Sequence, residues 1–177
     1  MAEKQSTRSQ LKDQHVTTIL VTHNGVTWLS EVVASLSSQK HLPDQIIAVD
    51  NGSTDGSVKL LNNAGISVIK QSKSAGFGSA VAAAVSRLPE IENKDNEWLW
   101  IIHDDCAPDK FALAKLLEAV IDRPQVAIAG PKILGWYDRK HILEAGISIT
   151  ENGNRWSGLE DRKSTRLNSS HVSESRM

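Results

Sequence analysis

Short apolar runs alternate with segments of helical spacing along most of this chain, and that alternation limits what it can fold into. Residues 16–22 are rich in β-branched side chains and read as a first strand. His23, Asn24 and Gly25 turn the chain. Leu29, Val32, Val33 and Leu36 then recur at the spacing of a helix with one apolar face. Pro43 and Asp44 stop that pattern before a second strand at residues 45–50. A dense turn cluster, residues 51–57, leads to a short helix carrying Val58, Leu60 and Leu61 that stops near Gly65. A third strand is read at residues 66–69. A small-residue helix follows, with Val81, Ala84, Val85 and Leu88 on one stripe, then a polar connection over residues 89–97. After a fourth strand, Leu113, Leu116, Leu117 and Val120 mark a helix that ends before Pro124. Residues 126–129 read as a fifth strand closed by Gly130 and Pro131, residues 142–149 as a further strand, and residues 153–160 as a loop. Strands alternating with helices pair in parallel through right-handed crossovers. The expected fold class is therefore α/β, with a mostly parallel sheet flanked by helices.

The fourth run, Trp98 through Ile102, ends in His103, Asp104 and Asp105. It is too short for a buried helix and reads as an interior strand. Its carboxyl end delivers two adjacent acids to the sheet edge where ligands bind in open α/β folds. Adjacent carboxylates repel, so a positive group should sit beside them, and a divalent cation carrying phosphate oxygens meets that need. The plainer alternative is a helix cap, with Asp105 or Asp109 opening the helix near Pro108. Two more polar clusters end strands one and two: Thr22-His23-Asn24 and Asp50-Asn51-Gly52-Ser53. In a parallel sheet all three ends share one edge, and their coincidence points to a site. Asp50 can accept hydrogen bonds from a base or sugar there, or it can hold an Asx-turn. His103 reads as a metal ligand or as a hydrogen-bonded neighbour of the acids. Trp98, Trp100 and Trp136 read as core or interface aromatics.

Gly76-Phe77-Gly78 is not a dinucleotide fingerprint, because Val81 takes the last glycine position and the motif follows strand three. Glycines there let backbone pass close to a ligand, or simply start a helix tightly. Lys132 after strand five invites comparison with a phospho-acceptor receiver domain. That fold needs its acid pair after strand one, where this chain has Thr22-His23-Asn24.

The chain has 177 residues, 40% of them hydrophobic, which suits one globular domain, expected over residues 16–160. A formal net charge of -1 gives no electrostatic basis for nucleic-acid binding. Cys106 is the single cysteine, which excludes a disulfide within the chain and fits a reducing, cytoplasmic setting. No apolar stretch is long enough to span a bilayer. Residues 1–15 read as a polar, disordered leader without the apolar core of a signal peptide.

Residues 19–24, the run from Ala48 to Ser57, Gly76-Phe77-Gly78 and His103-Asp104-Asp105 resemble, in this order, family 2 glycosyltransferases of the GT-A (Rossmann-like) fold. The resemblance covers Val16 to about Glu160. The wording from Trp98 to Pro108 looks most like the large membrane-associated enzymes of actinobacteria that build cell-envelope polysaccharide. The resemblance implies inverting transfer of a sugar from a nucleotide diphosphate donor, a UDP- or dTDP-sugar, to a glycan or lipid-linked acceptor at the inner face of the plasma membrane. It implies that Thr22 and Asn24 line the base pocket and that Asp50 holds the base or ribose. Asp104 approaches the ribose, and Asp105 binds Mg²⁺ or Mn²⁺ on the diphosphate. His23, Asn51 and Gly76 belong to the same donor site. His103 departs from the usual first acid of the family's Asp-x-Asp. The family's catalytic base lies well downstream, and nothing after Glu160 resembles it. Residues 161–177 look instead like one frame of a sequencing-library adapter, so the domain is expected to be truncated and the tail an artefact. Two other readings remain: a nucleotide-sugar binding module without turnover, and a dinucleotide-dependent oxidoreductase. The glycine-poor loop after strand one argues against the latter.

Overall fold

The computed structural model describes residues 11–89, 96–146, 148–149 and 155–156. The chain divides into two compact units, residues 1–114 and 115–177. The first unit is built on β1 (His15–Thr22), β2 (Gln45–Asp50), β3 (Ser67–Lys70) and β4 (Glu97–His103). All pairs are parallel, in the order β3-β2-β1-β4. Three helices connect them: α1 (Val26–Ser37), α2 (Ser57–Asn63) and α3 (Phe77–Val85). The first two crossovers step outward from β1, and the third returns across the sheet to β4. Right-handed connections therefore put α1 and α2 on one face and α3 on the other.

Burial follows that division. Ile19, Val21, Ile47, Val49 and Ile69 form one cluster with Ala80 and Ala84 of α3. Leu20 and Thr22, on the other face of β1, are fully buried, as are Leu29, Val32 and Leu36 of α1 and Leu61 of α2. The small residues of α3 let it lie close on β1 and β2.

The β4 register decides which way each of its side chains points. Trp100 pairs with Thr18 and Ile102 with Leu20, while Ile101 pairs with Ile19 and His103 with Val21. Trp100 and Ile102 thus share the α1 face and are buried, whereas Leu99 and Ile101 lie on the α3 face and are exposed. The apolar run from 98 was read as an interior strand. Among the described residues it is instead an edge strand with one face in solvent.

The expected fifth strand at residues 126–129 does not form. Val126 N–H closes a turn onto Arg123 O, Ile128 is exposed, and Pro131 beyond it has no N–H to donate. The leader expectation also fails at its end. Gln14 is buried, its Oε1 accepts from Trp98 Nε1 at 2.8 Å, and His15 already belongs to β1. Residues 1–10 and the expected artefactual tail, 161–177, lie outside the described residues, as does most of the connection at 89–97.

Helix α4 (Ala112–Val120) buries Leu113, Leu117 and Val120 and runs across the sequence boundary between the units. In the second unit β5 (Ile133–Leu134) pairs antiparallel with β6 (Ile142–Glu144), and β7 (Ser148–Ile149) with β8 (Arg155–Trp156). The single strand expected at 142–149 is divided at Gly146, whose φ of 92° leaves the strand region. The loop expected at 153–160 contains β8. Among the described residues no helix is long and apolar enough to cross a membrane.

The two faces of β4 should respond differently to truncation. Ile102→Ala should destabilise the protein by about 2–5 kcal/mol, the usual range for a buried isoleucine. Ile101→Ala should change stability by about 0.5 kcal/mol or less, as at an ordinary surface position. Equal losses in chemical denaturation would contradict the observed register.

Candidate active site

The register brings the three polar clusters together. Thr22 pairs with Asp50 across β1 and β2, and Val21 with His103 across β1 and β4. The carboxyl ends of the three strands are therefore neighbours at one edge, as the alternation of strands and helices implied.

Asp104 follows His103 by one residue and points to the opposite face, where Thr22 lies. Its Oδ2 accepts from Thr22 Oγ1 at 2.7 Å and from His23 N–H at 2.8 Å. Its Oδ1 lies 2.8 Å from His103 Nδ1. A side chain at Gly25 would have no room, because a Cβ there would sit 2.2 Å from Asp104 Oδ2. Asp104 was expected to approach a ribose. It is 4% exposed, and both oxygens are engaged by protein. Burial alone would raise its pKa. The contact with His103 and the bonds from Thr22 and His23 outweigh burial and hold the carboxyl below its usual range.

His103 lies between the two acids. Its Nδ1 is 2.8 Å from Asp104 Oδ1 and 2.9 Å from Asp105 Oδ1, so this nitrogen carries a proton. The bond to Asp104 raises the imidazole pKa most, desolvation opposes it, and the charges of Asp104 and Asp105 add to the rise. The positive group expected beside the acid pair is thus supplied in part by the chain itself. Phe77, the first residue of α3, stacks on the imidazole.

Asp105 differs from its neighbour, with a side chain 63% exposed. Its alternative role, capping the next helix, is taken by others. Phe111 N–H donates to Asp109 Oδ1 at 2.9 Å, and Leu113 N–H donates to Gln39 Oε1 at 3.1 Å. Gln39 also donates to Asp109 O at 2.8 Å. Nothing in the local sequence pointed to so distant a cap.

The first two turns are laced together. His23 Nδ1 lies 2.8 Å from Asn51 O, and Asn24 N–H donates to Ser53 Oγ. Thr54 N–H donates to Asn24 Oδ1 at 2.8 Å. Asn24 adopts φ 53°, a left-handed conformation that asparagine tolerates. Asp50 was expected to be accessible at its strand end. It is 3% exposed and accepts from Ser53 N–H on both oxygens, at 3.3 and 3.2 Å. That bonding is the turn-holding alternative. Asn51 is buried too, and its Nδ2 donates to Ala75 O. Gly52 has φ 73°, and a Cβ there would meet Lys73 N at 3.0 Å.

Asp55 was read only as part of the turn cluster. Its Oδ2 accepts from Val26 N–H and its Oδ1 from Ser57 N–H, so one carboxylate caps both α1 and α2. Slight burial pushes its pKa up, but the bonds from Ser57 and Val26 outweigh that and the net shift is downward. Gly76 and Gly78 differ from Gly25: a Cβ on either would meet nothing within 4 Å. Packing within the protein does not require glycine there, and the space beside both is open.

The ligand atoms of His103, Asp104 and Asp105 lie within 4.8 Å of one another. Mg²⁺ and similar hard cations bind through one or two carboxylates and take their remaining ligands from water and phosphate. Asp105 provides such an open carboxylate, so the residues present fit a divalent cation. Burial and then the nearby charge of Asp105 push the Cys106 thiol up.

A parallel sheet with helices on both faces and a polar carboxyl edge is the frame of the GT-A fold, as expected. The chain belongs to glycosyl transferase family 2, which it matches over residues 17–163. It is 25% identical over 122 residues to N-acetylglucosaminyl-diphospho-decaprenol L-rhamnosyltransferase of Mycobacterium tuberculosis, covering 65% of this chain and 40% of that protein. Crystal structures of glucosyl-3-phosphoglycerate synthase from the same organism superpose with a TM-score of 0.55 at 18% identity. One is the complex with UDP, where the match covers 69% of this chain and 45% of the other. Another is the complex with Mn²⁺ and UDP-glucose, covering 69% and 44%. The chain therefore spans less than half the length of these relatives.

The Asp104 contacts predict a pH-dependent stability. A lowered carboxyl pKa contributes stability above the ordinary value of 3.8, lost as pH falls through the folded value. A raised imidazole pKa contributes stability below the ordinary value of 6.5, lost as pH rises through the folded value. Both contributions are full between those two values. There, in metal-free buffer, Asp104→Asn should lower the unfolding free energy by about 1.5–3 kcal/mol. The gap to the parent should narrow on either side of that window. A gap that stays constant across the whole range would contradict the arrangement.

Proposed function

We propose that this chain is the donor-binding part of an inverting glycosyltransferase, whose residues 16–160 bind a nucleotide diphosphate sugar at the carboxyl edge of β1, β2 and β4 without by themselves supplying the catalytic base. The exposed carboxylate of Asp105, bonded to His103 and next to the buried Asp104, carries this reading. In the transfer that such a site serves, the acceptor hydroxyl loses its proton to a general base as its oxygen bonds to the anomeric carbon, the bond from that carbon to the diphosphate breaks, and the nucleoside diphosphate leaves; the residues named here serve the donor, and that base is not among them. Asp105 would hold the divalent cation, Mg²⁺ or Mn²⁺, and the charge of that ion would stabilise the leaving diphosphate.

The chain's other residues bind and orient. His23 and Asn24 from the first turn meet the base and ribose side of the donor site, with the buried Thr22, Asp50 and Asn51 supporting it from the strand ends. In this reading Asp50 and Asp104 act largely from beneath, by shaping the turns that meet the ligand. The open space beside Gly76 admits the diphosphate close to the backbone. The UDP complex of the synthase supports UDP as the nucleotide, with dTDP as the alternative the family resemblance allows, and the name of the rhamnosyltransferase relative supports a lipid-linked acceptor. Within that range we favour a glycan or lipid-linked acceptor in cell-envelope polysaccharide synthesis, used at the inner face of the plasma membrane.

Calorimetric titration with UDP, dTDP and GDP, each in Mn²⁺ and in EDTA, tests the reading. At least one nucleotide should bind more tightly with Mn²⁺, and Asp105→Asn should remove that difference while the melting temperature stays within about 2 °C of the parent. Mn²⁺ dependence that survives Asp105→Asn would overturn the cation assignment. Failure of all three nucleotides to bind would overturn the donor-site reading.

A further inference from the structure

The stack between Phe77 and His103 contributes little to the core. The ring centroids are 5.6 Å apart and the planes 18° from parallel. Phe77 is 43% exposed, and α3 buries itself through Ala80 and Ala84 instead. The stack does restrain the imidazole. His103 stands on an edge strand with its side chain half in solvent. Its Nδ1 is directed by Asp104 Oδ1 and Asp105 Oδ1, which leaves the ring free to tilt about that direction. A second ring laid on its face removes the tilt. Asp105, in turn, is an exposed side chain whose Oδ1 is bonded to that same Nδ1.

We propose that Phe77 is a positioning residue. By stacking on His103 it fixes the imidazole that orients Asp105, and so presets the exposed carboxylate for a divalent cation carried by a nucleoside diphosphate. The inference rests on the reading of Asp105 as the cation-binding group. Register and topology explain why Phe77 can reach. His103 shares the α3 face with Val21, and α3 begins at Phe77, directly after Gly76. Immobilising one mobile side chain on binding is worth about a two- to tenfold change in affinity, which sets the size of the effect.

The test uses the tightest binder among UDP, dTDP and GDP, titrated in Mn²⁺ and in EDTA. Phe77→Leu keeps an apolar side chain and removes the stack. It should weaken binding about two- to tenfold in Mn²⁺ and leave binding in EDTA unchanged. Phe77→Tyr should restore the parent affinity. In a His103→Gln background, Phe77→Leu should have no further effect, because the route runs through the imidazole. The ring-proton signals of His103, shifted by the Phe77 ring current in the ligand-free protein, should move on Phe77→Leu and hold on Phe77→Tyr. Parent-like affinity of Phe77→Leu in Mn²⁺ would overturn the inference. So would equal losses in Mn²⁺ and EDTA, or additive losses with His103→Gln, since the ring would then touch the nucleotide itself. If Asp105→Asn removes the Mn²⁺ effect and Phe77→Leu does not, this inference alone falls. If Asp105→Asn keeps that effect, or no nucleotide binds, the site reading falls and this inference with it.

Discussion

The carboxylate of Asp104 is the interaction on which the carboxyl edge depends. It joins the end of β4 to the end of β1 through Thr22, to the following turn through His23, and to its own strand through His103. Among the described residues β4 is paired on one side only, so its last residues gain from a tether besides the sheet. A buried carboxylate is costly unless its acceptors are filled, and a filled one resists rearrangement. Gly25 has to be glycine for this reason. The limit there is the space taken by Asp104, since a Cβ would overlap the carboxylate.

The turns after β1 and β2 form a second rigid assembly beside that tether. Asn24, Ser53, Thr54, His23 and Asn51 exchange bonds between the turns, and Asp55 caps the two helices that follow them. Asp105 stands exposed beside a floor whose acids are occupied. A fixed floor with one open carboxylate suits a site that must orient a charged ligand without reorganising.

The alternation of runs made the parallel sheet legible, and with it the gathering of Thr22, Asp50 and His103 at one edge. The chemical roles were harder to read. Asp50 and Asp104 looked accessible because strand ends usually are, but burial depends on which turn closes over each carboxylate. Gln39 and Asp55 act on backbone groups far away in sequence, and local patterns do not carry such contacts. Phe77 was visible only as the residue between two glycines. Its place over His103 follows from the right-handed return of the third crossover, once the register is known. Residues 126–129 have strand composition, but among the described residues no strand pairs with them.

Alternation along β4 has an evolutionary consequence. His103 and Asp104 do different work because they project to opposite faces of one strand, the first toward Phe77 and the second toward Thr22 and Gly25. Inserting or deleting one residue between Trp98 and His103 would exchange those faces. It would turn Trp100 and Ile102 outward as well, so core and site would fail together. Homologous chains that keep this edge should therefore place their length variation in the connections, and change the length of this strand only in steps of two.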